Sequence, residues 1–297
     1  MRYRHILTVS WLVTAACVVI RTLQLMFTVD QSNGFYIKEY KDIGIFMTSA
    51  IFIGVGVMVF VAATVKRNPT NLPKASVTMG IVSVVMGISV IFDLLNMTVA
   101  ANVPAWQVRM LDVLGVIAII FFFAYGVCAV AHCKLPSLLF AAPTLFYVFK
   151  IICSFVTISR ISLTGDIIFM MFADCATLIF MFEFAKVANH IDTKYIYKKV
   201  LTSGLCAFSL NMIFVVPPIV SGLLTEQNYL KVSLSNAVIY FVSAIFIYVF
   251  IIDMFKMKNL KSKHSHHKNS TSRYEKEDDM TFYFGETETK NGPDNNN

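Results

Sequence analysis

The sequence predicts an all-α, polytopic transmembrane helix bundle of about eight spans, with both termini on the cytoplasmic side. Three observations predict it. Of the 297 residues, 57% are hydrophobic and only 14% are charged, and mean hydropathy is +0.66; soluble proteins run about 45–50% apolar and about 25% charged. The apolar excess is divided into blocks of roughly twenty residues, the length that crosses a hydrocarbon layer ~30 Å thick at ~1.5 Å rise per residue. Lysine and arginine, finally, gather in alternate loops.

The spans fall at about 5–27, 43–65, 75–99, 108–131, 136–158, 164–188, 200–224 and 232–255. The first begins in "MRYRHILTVSWLVTAACVVIR", which has the basic start and apolar run of a signal peptide, and Cys17 after Ala15 and Ala16 is placed like a lipoprotein cleavage site. Thr14 stands where such sites prefer Leu, and the apolar run continues to Ile20, so a retained helix is the reading. "DQSNGF" turns the chain after the first span, "KRNPTNLPK" after the second and "NVPAW" after the third. Pro136 opens the fifth span at a helix-start position, where its missing N–H is harmless. "SRISLTGD" separates spans five and six, and "NHIDTKYIYKK" separates six and seven.

Orientation follows from charge. Arg2, Arg4, Lys66, Arg67, Lys74, Lys134, Lys194, Lys198, Lys199 and the tail from Lys256 share one side, whereas Lys38, Lys41, Arg109, Arg160 and Lys231 on the other are offset by Asp30, Glu39, Asp42 and Glu226. The positive-inside rule then places both termini in the cytoplasm and requires an even number of spans. The same distribution argues against nucleic acid as the reason for the net charge of +7. Residues 1–255 form the transmembrane domain, and 256–297 a disordered cytoplasmic tail too polar to bury a core. Within that tail, "DDMTFYFGE" offers Met280, Phe282, Tyr283 and Phe284 as a docking motif for a cytoplasmic protein partner, and His264, His266 and His267 have no fixed geometry for a metal.

Six cysteines, Cys17, Cys128, Cys133, Cys153, Cys175 and Cys206, have neither CxxC nor Cys/His spacing, so they read as small buried hydrophobes. No zinc helix, nucleophile elbow or phosphate loop occurs, and no catalytic residue, metal or cofactor is expected.

The informative residues are polar groups at membrane depth, where ionisable side chains are costly and turn toward protein or water. Arg21 and Gln24 lie three apart in the first span; Ser89, Asp93 and Asn96 form a stripe in the third; Asp112 follows Arg109 by a turn in the fourth. Tyr147, Lys150 and Ser154 share a face of the fifth, Asp166 and Asp174 lie in the sixth, and Asn236, Tyr240 and Ser243 form a stripe in the eighth. All fall in the outer leaflet. The inner halves read as "FIGVGVMVF", "IIFFFAYGV" and "FIYVFII". Pro217 and Pro218 in "NMIFVVPPIV" are read as a break in the seventh span, near Asn211. Gly80, Ser83 and Gly87 give the third span a close-packing face. Arg21, Gln24, Asp93, Asn96, Asp112, Tyr147, Lys150, Asp174, Asn236 and Tyr240 are therefore the candidate site for a small polar ligand entering from outside.

"RTLQLMFTVDQSNGFY", with its Arg–x–x–Gln helix end followed by Asp and Gly-Phe, resembles an uncharacterised family of multipass membrane proteins from clostridia-like Firmicutes, as does "MMFADCATLIFMFEFAKVAN". The likeness covers two short regions. It implies a bacterial plasma membrane and brings no activity with it. Three readings of function stand: a ligand-sensing, regulatory or assembly protein with an outward polar pocket, a secondary transporter of a small polar solute or ion, and a purely structural charge-paired bundle.

Overall fold

The computed structural model describes residues 3–30, 34–64, 76–96, 104–131, 133, 135–158, 165–189, 191, 195–225 and 234–267, with side chains described between His5 and Met254. Eight helices account for nearly all of them: α1 (Tyr3–Phe27), α2 (Lys41–Ala63), α3 (Val77–Asn96), α4 (Ala105–Ala131), α5 (Ala142–Ile158), α6 (Gly165–Ala188), α7 (Ile196–Thr225) and α8 (Leu234–His267). Each, with the 3-10 turns that lead into α2 and α5, gives a segment long and apolar enough to cross a membrane, and no strand occurs among the described residues. Short 3-10 turns lead into α2 and α5. Pro136 caps the second of these from outside, accepting a bond from Leu139 N–H, rather than occupying the first helical position.

The packing has a definite plan. Helix α3 packs on α4, α4 on α5, α5 on α6, α6 on α7 and α7 on α8, and α8 returns to α3. These six close into a ring. Helices α1 and α2 pack on each other and on α7 from outside it. Consecutive helices alternate in direction: the end of α1 meets the start of α2 where Gln24 bonds the Gly44 carbonyl, and Ser76 at the start of α3 bonds Asp253 far along α8. The beginning of α1 and the exit of α8 therefore lie at one end of the bundle, the terminal end. The opposite end is called distal below.

Small residues set the closest approaches. A Cβ on Gly80 would stand 2.9 Å from the Gly126 carbonyl oxygen, and one on Gly126 would stand 2.6 Å from Val84. Beside them Ser83 donates to the Phe122 carbonyl at 2.8 Å. The Gly80/Ser83/Gly87 face is thus the α3–α4 contact, where backbones meet without bulky side chains between them. The bundle's outer surface is the reverse: Phe46, Phe60, Leu95 and Leu223 are 71–80% exposed, as lipid-facing side chains are.

Aromatic rings fill the terminal half of the ring's interior. Phe184 of α6 is at their centre, 5.0 Å from Phe250, 6.0 Å from Phe246, 5.8 Å from Tyr125 and 5.9 Å from Phe140, centroid to centroid. Phe121, Phe122 and Phe180 complete the plug, which joins α4, α6 and α8 across the ring.

Two sequence expectations change here. Helix α8 continues to His267, past the expected boundary near 255. Once α8 is nucleated in the membrane, extending it through Lys- and Leu-bearing sequence adds a bond per residue with no new nucleus. The remaining tail, from 268, lies outside the described residues. Second, α7 is helical throughout, with Pro217 and Pro218 inside it rather than at a break. Neighbouring helices hold such a segment although each proline withholds one backbone donor.

Candidate functional site

The distal half of the ring's interior holds the polar side chains, and α6 positions them. Asp174 and Thr177, one turn apart, project from one side of that helix. Asp174 is 1% exposed, and neither carboxylate oxygen makes a close hydrogen bond to a cationic or amide donor among the described residues. Across the ring, Lys150 of α5 is 5% exposed; its Nζ lies 3.5 Å from Asp93 Oδ2 of α3 and 4.6 Å from the centre of the Tyr240 ring of α8. A turn before Lys150, the Tyr147 hydroxyl meets Ser243 Oγ at 3.0 Å. The Tyr240 hydroxyl faces Asp174 within hydrogen-bonding reach, the one donor directed at that carboxylate, although the contact is looser than the other hydrogen bonds of the group.

Helix α7 closes this group on its remaining side. Asn211, fully buried, donates from Nδ2 to Thr177 Oγ1 at 3.0 Å, and Thr177 in turn donates to the Ala173 carbonyl at 2.8 Å. The Asn211 Oδ1 atom has no partner among the described residues. One turn on, Phe214 packs edge-on against Tyr240 at 4.8 Å. The Ile213 and Phe214 carbonyls cannot receive the usual bond from four residues ahead, because Pro217 and Pro218 stand there.

Charge decides what this group can do. One ammonium faces two carboxylates, a formal balance of −1 in an interior where an uncompensated charge is strongly disfavoured. Apart from the Tyr240 hydroxyl, which faces Asp174 as a donor, the atoms without a close hydrogen bond are acceptors: the Asp174 carboxylate and Oδ1 of Asn211. Such a set accepts hydrogen bonds or a positive charge.

A second polar group forms nearer the distal surface. Arg21 of α1 donates to Gln24 Oε1 and to Asp166 at the start of α6, and its guanidinium lies 4.5 Å from the Phe169 ring centre. Gln24 Nε2 donates to the Gly44 carbonyl at 2.6 Å and to Thr48 Oγ1 at 2.7 Å. Tyr36, brought back by the turn at Gly34 (φ 80°) and a bridge between Val29 and Tyr36, bonds Thr48 at 2.8 Å. Its ring lies against Gly44, where a Cβ would come within 2.5 Å. This group is charge-balanced and hydrogen-bonded, and it ties α1, α2 and α6 together.

The ten candidate residues thus divide. Asp93, Tyr147, Lys150, Asp174 and Tyr240 converge in the ring, while Arg21 and Gln24 belong to the separate, paired group. Asn236 is half-buried on α8, one turn before Tyr240. Two do not belong to the site. Asn96 is exposed and bonds the Phe92 carbonyl of its own helix at 2.8 Å. Asp112 is exposed on α4 beside exposed Arg109, so it does not join the interior charges. Asp112 stands two turns from the start of the 27-residue α4, on the face turned out of the bundle. Thr177, Tyr36 and Thr48 were absent from the sequence-based site; only the one-turn spacing of Thr177 from Asp174 signalled any of them.

Elsewhere, a groove of about 640 Å³ at the terminal end lies between α2, α6 and α7, with Glu183, Lys198, Lys199 and Cys206 in its lining. The described cysteines are all free, and no group of three or more His, Cys, Asp or Glu among the described residues is placed to hold a metal. No protein-family model, curated protein or solved structure matches the chain.

Proposed function

We propose that this chain is a ligand-sensing or regulatory membrane protein that takes a small polar ligand into the distal half of its six-helix ring. The observation that carries this reading is the interior's one-ended polarity: Asp174, Asp93 and Lys150 lie above a plug of aromatic rings around Phe184. Passage across the membrane needs a polar or wettable route through both halves, so the plug weighs against a transporter. A purely structural bundle would pair its buried charges, as Arg21 and Asp166 are paired, so a buried Asp174 with no cation bonded to it weighs against that reading.

On the distribution of Lys and Arg, the termini are cytoplasmic and the distal end faces outward. The resemblance of the first loop and of α6 to clostridial membrane proteins favours a bacterial plasma membrane. The tail beyond α8 is then positioned to meet a cytoplasmic partner.

Native mass spectrometry of the purified protein against a panel of polar metabolites tests the reading. One bound small molecule, lost in Asp174→Asn, is expected. Uptake of that molecule into proteoliposomes faster than into empty vesicles would make the protein a transporter instead.

A further inference from the structure

We propose that Asp174 is the anchor of a binding site for a hard monovalent cation of the sodium class, bounded by α6, α7 and α8. The inference rests on the interior reading of the polar group and names part of what it binds.

Asp93 and Lys150 face each other at 3.5 Å, so Lys150 is already engaged, and Asp174 is the carboxylate with no cation bonded to it, only the Tyr240 hydroxyl facing it. A single uncompensated negative charge matches one positive charge. A divalent ion would leave the site net positive beside the Lys150 ammonium. The available atoms are oxygens only, the donors that hard cations take, and the soft or borderline ligands of transition metals are absent from the group.

A proton on Asp174 would also restore neutrality, but it serves the oxygens poorly. With the Tyr240 hydroxyl facing one carboxylate oxygen, a proton on the other supplies a single donor to a single acceptor. One cation can be shared by several oxygens at once. The pair Pro217 and Pro218 reinforces this, because the Ile213 and Phe214 carbonyls lack their usual helical donor one turn from Asn211. Helix carbonyls released in this way are what alkali ions use at membrane depth.

Equilibrium binding of radiolabelled sodium to the full-length protein in detergent, with choline replacing sodium at fixed ionic strength, tests the site. Saturable binding of one ion is expected, competed by lithium and not by choline. Asp174→Asn should lose it entirely, and Asn211→Leu should weaken it about tenfold or more. Wild-type melting temperature should rise with sodium in the same concentration range. If Asp174→Asn does not fold, Tyr240→Phe and Asn211→Leu, which leave the charges untouched, carry the comparison. Absence of saturable sodium binding in the wild type overturns the proposal, as does binding undiminished in these variants. Stability that follows pH alone, with no sodium dependence, would assign a proton to Asp174 and overturn it too. A polar metabolite lost in Asp174→Asn, without sodium binding, would reject the cation and keep the pocket. Sodium binding with no metabolite would keep the cation and reject the wider ligand reading.

Discussion

Lys150 is the residue on which the interior charge balance turns. Replacing it with Met leaves two carboxylates buried without a counter-charge, and loss of one partner from a buried pair costs about 3–5 kcal/mol. Asp174→Asn has the opposite expectation in sodium-free buffer. It removes a buried charge that no cation bonds and keeps an acceptor for the Tyr240 hydroxyl, so stability should hold or rise by about 1–3 kcal/mol. The double variant Lys150→Met/Asp174→Asn should recover much of the loss from Lys150→Met. Chemical denaturation in detergent reads all three. Asp166→Asn is the parallel case: that carboxylate is 31% exposed, but the Arg21 side chain it balances is buried, so its loss should also cost about 3 kcal/mol. At this scale the sequence was half legible. The three-residue spacing of Arg21 and Gln24 and the turn between Tyr147 and Lys150 placed each pair on one face. The partners across the bundle, Asp166 for Arg21 and Asp93 for Lys150, lie 145 and 57 positions away, and no local period encodes them. Asp112 was misplaced for a physical reason: spacing shows which residues share a helix face but not whether that face turns into the bundle, and the Asp112 face turns out of it.

Among the elements, α3 and α4 depend most on the absence of side chains. Gly80→Ala should destabilise by about 1–3 kcal/mol, since its Cβ would meet the Gly126 carbonyl oxygen, which belongs to a helix backbone and cannot swing aside. Gly56 on α2 has nothing within 4 Å of where a Cβ would stand, so Gly56→Ala should be neutral or stabilising by up to about 1 kcal/mol. Thermal unfolding of the two variants side by side checks the pair; equal effects would deny the close approach. The glycine face was legible from its i, i+3, i+7 recurrence, and the eight spans were legible from block length. The continuity of α7 through Pro217 and Pro218 was not. Propensity forbids what packing against α6, α8, α1 and α2 supplies, and packing is invisible along one chain. The ring order has the same origin, since the contact of α8 with α3 joins elements distant in sequence.

For the whole molecule, the account assigns two unlike ends. Cysteine introduced at Gln107 on a cysteine-free background should react with an impermeant thiol reagent in intact cells, and cysteine at Asn71 should react only after lysis. Reaction at Asn71 from outside would invert the orientation. The central claim is that the ring opens to a polar ligand at the distal end and is sealed by rings at the other. The most direct measurement places single cysteines at Ser243, beside Tyr147 in the polar half, and at Phe246, one turn deeper in the plug. A small, charged, impermeant methanethiosulfonate reagent is then applied to intact cells and, separately, to inside-out vesicles. The account predicts that Ser243→Cys reacts from outside and is protected by the bound ligand, whereas Phe246→Cys reacts from neither side. Reaction of Ser243→Cys from inside, or of Phe246→Cys from either side, would contradict it.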